Sequence, residues 1–190
     1  DLTQWTFWWE FNKDPFINLR AAIHGIDTTT GDVGWFLGHG QKKQGKDTYR
    51  PSEQQIRQTI VPALIKALDT ETNNDIVTGS LIALAKIGDD PNESGESAFE
   101  KVIVPWLQDG TQEIRETAAV SLGILANDSS APTLQALLAD SPEGQKLVGS
   151  STVNFRTRSF AGYGLGLLGA RTKDEDLRKD IVASLIESLD

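Results

Sequence analysis

The strongest constraint on this chain is that it repeats itself. The segment V-P-A-L-I-K-A-L that starts at Val61 returns as V-P-W-L-Q-D-G at Val104, 43 residues later. The segment R-E-T-A-A-V-S-L-G-I-L-A from Arg115 returns as R-S-F-A-G-Y-G-L-G-L-L-G from Arg158, again 43 residues on. A third copy, V-T-G-S-L-I-A-L-A-K-I-G from Val77, fits the same frame at a step of 38 residues. Self-similarity at such a period means that each unit packs mainly on its neighbours rather than around one central core.

The units read as helices. Ser52, with Glu53 and Gln55 behind it, can cap a helix start. Ile56, Ile60, Val61, Leu64, Ile65 and Leu68 then recur at three- and four-residue steps, which is one apolar helix face. Asn73-Asn74-Asp75 breaks that helix, and a second one carrying Ile76, Leu81, Leu84 and Ile87 ends near Gly88. No stretch after Pro51 alternates with period two, so no sheet is expected. Two helices in a unit of about 40 residues is the sequence mark of an α-solenoid. Glycines at 162, 164, 166 and 169 sit inside one of these helices. Each costs about 1 kcal/mol against alanine, and tight helix packing is the expected reason for all of them. A phosphate-binding loop is the sharper reading of G-Y-G-L-G-L-L-G, but no strand precedes it. The longer stretch from Ser141 to Asn154 is expected to be an extended inter-helix loop.

The residues of this region resemble the HEAT-repeat family and its HEAT-like bacterial relatives, over roughly 52–190 and best along D-G-T-Q-E-I-R-E-T-A-A-V-S-L-G-I-L from Asp109. The resemblance implies an all-α solenoid of about three helix pairs and the start of a fourth. It also implies a ladder in which an Asp in the turn within each repeat meets an Arg six residues on in an adjacent repeat. Asp109 and Arg115 match both positions. The first repeat departs, with Glu71 and Val77, and the third has Thr152 before Arg158.

Residues 1–50 carry six acidic and six basic residues, whereas the whole chain has a net charge of −9. Four of its five tryptophans lie there: Trp5, Trp8, Trp9 and Trp35. Residues 1–25 read as a Trp-rich helical cap or degenerate repeat, with a helix near 3–12 and another from Pro15 to about 24, capped by Asp14 and stopped by Gly25. The block W-W-E-F-N-K-D resembles the start of large, predicted exported HEAT-repeat proteins of some bacteria. Trp5, Trp8 and Trp9 are expected to seal the end of the array; the functional alternative is an aromatic anchor for a partner. Residues 26–51 read as a Gly-rich loop with Lys42, Lys43 and Lys46 exposed, and with Trp35 packed back onto the helices. A first residue of Asp and the absence of any Met point to a processed chain or part of a longer one. An exported or periplasmic location is favoured over a cytoplasmic one. The run from Asp174 to Asp190 reads as a helix with no partner helix after it.

Composition narrows function. There is no cysteine, so disulfides and thiolate chemistry are excluded. The acidic balance disfavours nucleic acid, and no apolar run is long enough to span a membrane. His24 and His39 are the only histidines and form no H-E or H-x-x-x-H pair. The repeated His-Glu steps of the HEAT-like deoxyhypusine hydroxylases are therefore absent. Asp89-Asp90 and Asp174-Glu175-Asp176 read as solvated acidic turns. No cofactor, metal or catalytic set is expected. The chain reads as a non-catalytic protein-interaction scaffold with a protein partner. The alternative is an accessory protein like the HEAT-like bilin lyases, holding a chromophore or client.

Overall fold

The computed structural model describes residues 51–93 and 95–189. The chain divides into two compact units, Asp1–Ser52 and Glu53–Asp190, and the architecture below is that of the second. The expected cap, the Gly-rich loop and Trp5, Trp8, Trp9 and Trp35 lie outside the described residues.

The described part is all-α. Helix α1 comprises a first turn Glu53–Gln55, a π-helical segment Ile56–Ile60 and a body Val61–Thr70. It is followed by α2 (Asn74–Ile87), then by α3, which runs Ala98–Ile103 and tightens into a 3₁₀ segment Val104–Gln108. Next come α4 (Gln112–Leu125), α5 (Ala131–Leu138, entered through a 3₁₀ turn Asp128–Ser130) and α6 (Pro142–Val148). The last two are α7 (Phe155–Arg171) and α8 (Glu175–Glu187).

The irregular segments follow from proline. Pro62 and Pro105 occupy equivalent positions and have no N–H to return to the preceding turn. In α1 the chain widens before Pro62, and the Val61 N–H reaches back to Ile56 O. In α3 the helix tightens to 3₁₀ from Val104 onward. Polar side chains start the helices: Asn73 accepts from the N–H groups of Asp75 (2.9 Å) and Ile76, and Ser97 from Glu100 (2.9 Å). Asn154 and Asp174 do the same for α7 and α8.

The helices form two layers. α4 packs on α2 and α7 packs on α4, while α1, α5 and α8 pack against the sides of α2, α7 and both α5 and α7, respectively. The core between the layers is aliphatic, with Leu81, Leu84, Ile103, Leu107, Leu122, Leu134, Leu137, Leu165 and Leu168 all fully buried. Each such burial contributes about 2 kcal/mol. Bonds between matching ends show that α4 and α7 run parallel. Gln112 reaches Thr157 near both starts (3.0 Å), and Arg171 reaches Ile124 O near both ends (2.6 Å).

Two glycines set the approach of α4 to α7. A Cβ on Gly123 would lie 2.2 Å from Gly164 Cα and 2.5 Å from its carbonyl oxygen. The backbones touch, and no side chain fits between them. The expectation that packing explains every glycine of α7 holds only in part. A Cβ at Gly164 would crowd Ala119 O at 3.2 Å, and one at Gly169 would crowd Ile181 at 3.3 Å. At Gly166 it would meet nothing within 4 Å, so packing inside the chain does not require that glycine.

The stretch Ser141–Asn154 is not simply a loop. It contains α6, capped by Ser141 at Gly144 N (3.2 Å) and ended by Gly149 at φ 63°. Gly144 lets α6 close on α5, since a Cβ there would lie 2.1 Å from Ala136 O.

The two classes of glycine should behave oppositely. Gly123→Ala is expected to lower stability by about 2–3 kcal/mol through forced separation of α4 and α7. Gly166→Ala should raise it by up to about 1 kcal/mol through helix propensity. Thermal melts of the two variants check this, and a shift of the same sign in both would refute it.

Candidate protein-interaction surface

The three ladder residues do not form Asp–Arg rungs among the described residues. The Asp109 carboxylate accepts from Thr111 N–H (2.7 Å), which turns the chain into α4. Arg115 donates from Nη2 to Gln112 Oε1 (3.1 Å), and its buried Nε has no partner. Arg158 donates from Nε to Leu138 O (2.8 Å), the last residue of α5. It serves one of the carbonyls that a helix end leaves unpaired.

That use of arginine recurs. Arg57 donates to Gly88 O (2.6 Å), Arg171 to Ile124 O (2.6 Å) and Arg178 to Gly169 O (3.0 Å). Each brings a cation to the C-terminal end of a helix, where the dipole favours it.

Two other groups bind successive pairs together. Glu116, only 4% exposed in side chain and backbone together, is held by Arg156 through Nε (2.8 Å) and Nη2 (2.9 Å) and by Gln112 Nε2 (2.7 Å). Gln112 also donates to Thr157 Oγ1, so α4 and α7 share one polar network. Asp89, expected to be solvated, is instead a hub. Its carboxylate accepts from Ser97 Oγ (2.8 Å), Phe99 N–H (3.1 Å) and Asn127 Nδ2 (3.2 Å), which joins the turn after α2 to the turn after α4. Its neighbour Asp90 is exposed, as expected.

Among the described residues, two of the open surfaces carry apolar side chains over several helices. On the side of the first helices, a groove of about 460 Å³ runs between α3 and α5 over Val104, Pro105 and Thr133. It meets at Thr133 a second groove of about 590 Å³ floored by Pro132, Ala136 and Leu147. Ser129 Oγ donates to Glu100 (2.6 Å) and Gln108 to Lys146 O (3.3 Å), which ties the walls together. On α2, α4 and α7 the equivalent positions Ile82, Val120 and Tyr163 carry apolar or aromatic groups that stay half-buried or exposed, as do Phe160 and Leu167 on α7.

Two carboxyls near the first groove pair titrate low. Hydrogen bonds from the Lys101 ammonium (2.8 Å) and then from Asn92 hold Glu96 below the usual glutamate range. A hydrogen bond from its own backbone N–H, then the Ser141 hydroxyl, does so for Glu143. Among the described residues no cluster of three or more His, Cys, Asp or Glu side chains could hold a metal ion. No described helix is long and apolar enough to cross a membrane. The chain matches no family model, no curated protein and no solved structure.

Asp89→Ala should therefore destabilise by about 2–3 kcal/mol, because it strands buried donors from two turns. Asp109→Ala, which loses one cap bond, should cost about 1 kcal/mol. Chemical denaturation of both variants tests the order, and the reverse order would remove Asp89 from its role. Glu96 and Glu143 stabilise the fold when ionised. Their contributions are present above the ordinary glutamate value of about 4.3 and fade as pH falls through their lower folded-state values. NMR titration should place both midpoints below that value, and Lys101→Ala should move Glu96 back toward it.

Proposed function

We propose that the chain is a HEAT-like α-solenoid acting as a non-catalytic scaffold that presents an extended surface to a protein partner. The observation that carries this reading is one position that stays apolar and unburied on three successive helices, Ile82, Val120 and Tyr163, flanked on α7 by Phe160 and Leu167. In a chain whose core already holds more than twenty buried hydrophobic residues, such a row is surplus to folding. A repeat makes it without special provision, because the same solvent-facing position returns in every unit. The 43-residue recurrence and the stacking of α2, α4 and α7 support the HEAT-like assignment.

Affinity capture with the immobilised full chain tests the reading. Wild type should retain one or more proteins from its source that the Phe160→Glu variant loses, the two baits having equal melting temperatures. Identical retention by both would remove the row from the interaction surface.

A further inference from the structure

Helix α4 has a stacking neighbour on each side, α2 and α7, and α3 packed against it as well. Its strip Glu113, Thr117, Val120 and Ile124 is nonetheless half-buried or exposed at every position. Steps of four, three and four residues put these side chains on one helix face. The equivalent strip of α2 is Asp75, Gly79, Ile82 and Lys86. Among the described residues, the helices already stacked around α4 leave its strip uncovered.

The two strips order their charge. At the helix starts Asp75 and Glu113 are exposed, and neither carboxylate has a hydrogen-bond or ion-pair partner among the described residues. On α7 the equivalent position is Arg156, whose guanidinium is engaged by Glu116 and does not neutralise them. Near the end of α2 stands Lys86, exposed and equally unpaired among the described residues. Ile82 and Val120 lie between these margins, and Gly79 leaves open space beside them, since a Cβ there would meet nothing within 4 Å. The excess of negative charge in the chain falls entirely after residue 50.

An apolar strip between an anionic and a cationic margin favours a partner with the complementary order of charge. We propose that the strips of α2 and α4 seat an extended segment of a protein partner. The segment is basic over Asp75 and Glu113, apolar over Ile82 and Val120, and acidic over Lys86. Each strip is about 16 Å long, a length that about five extended residues span. The proposal deepens the scaffold reading, on which it rests in taking this face as the one that meets a protein.

The test is NMR titration of the isotope-labelled full chain, at low ionic strength, with the synthetic peptide Lys-Arg-Leu-Val-Leu-Glu. Saturable one-to-one shifts are expected at amides of α2 and α4, and added salt should weaken binding. Asp75→Asn combined with Glu113→Gln should weaken it at least fivefold, as should Gly79→Leu, which fills the open space. Asp90→Asn combined with Asp180→Asn removes the same charge from exposed sites elsewhere and should leave binding unchanged. The peptide Glu-Glu-Leu-Val-Leu-Glu should not bind. Absence of saturable shifts, shifts confined to another surface, equal weakening by the Asp90 and Asp180 pair, or equal binding of the acidic peptide would each overturn the proposal. The titration involves neither Phe160 nor a native partner. Phe160-dependent capture alongside a failed titration would therefore sink this proposal and leave the scaffold reading standing.

Discussion

The contact between Gly123 and Gly164 governs the second-helix layer. Helices usually stand apart by the length of the side chains between them. Here the spacer is absent, and the separation is set by backbone against backbone. Close approach brings the first turns of α4 and α7 within reach of one network, Gln112 and Glu116 against Arg156 and Thr157. It also brings Arg171 to the last carbonyls of α4. Moving the helices apart by a methyl group would lengthen all of these bonds together.

Polar groups then fix the register that apolar packing leaves loose. Leucine against leucine tolerates a shift of one turn, whereas Glu116 does not, because a buried carboxylate without its guanidinium is strongly unfavourable. Asp89 does the same between turns, binding the entry to α3 and the turn after α4 with one carboxylate. The arginines at the helix ends add a third kind of tie, in which a flexible cation meets an acceptor that every helix provides. These interactions select one arrangement among several that would bury similar areas.

Much of the helical organisation was legible from residue order. Val61-Pro62 and Val104-Pro105 marked the first helices, Asn73-Asn74-Asp75 marked the break between α1 and α2, and apolar spacing gave the buried faces. What stayed hidden depends on register across about 40 residues. Glu116 follows Arg115 directly and looks like part of a local charge pair; its partner Arg156 emerges only when α7 is laid beside α4. Asp89 and Asp90 look alike in sequence, and only the turn geometry sends one inward. α6 was missed because seven residues are too few to show periodicity, although Ser141-Pro142 and Gly149 are ordinary start and stop signals. Gly166 was grouped with Gly164 on composition, while a rotation of about 200° around the helix separates them.

Several side-chain hydrogen bonds between helices far apart in sequence share a property beyond their chemistry. Those joining Asp89 to Asn127, Glu116 to Arg156, Arg171 to Ile124 and Gln135 to Ser184 span between 38 and 49 residues. The loops they close are therefore of similar size, each with a similar and moderate entropy. Information about a disturbance has the same short range. A defect at α8 reaches α5 and α7 directly but reaches α2 only through intermediates, so among the described helices α8 can open while the α2–α4–α7 stack holds. Amide exchange among the described helices would then be graded by distance from the α2–α4–α7 stack, with order lost one neighbour at a time rather than in a single event.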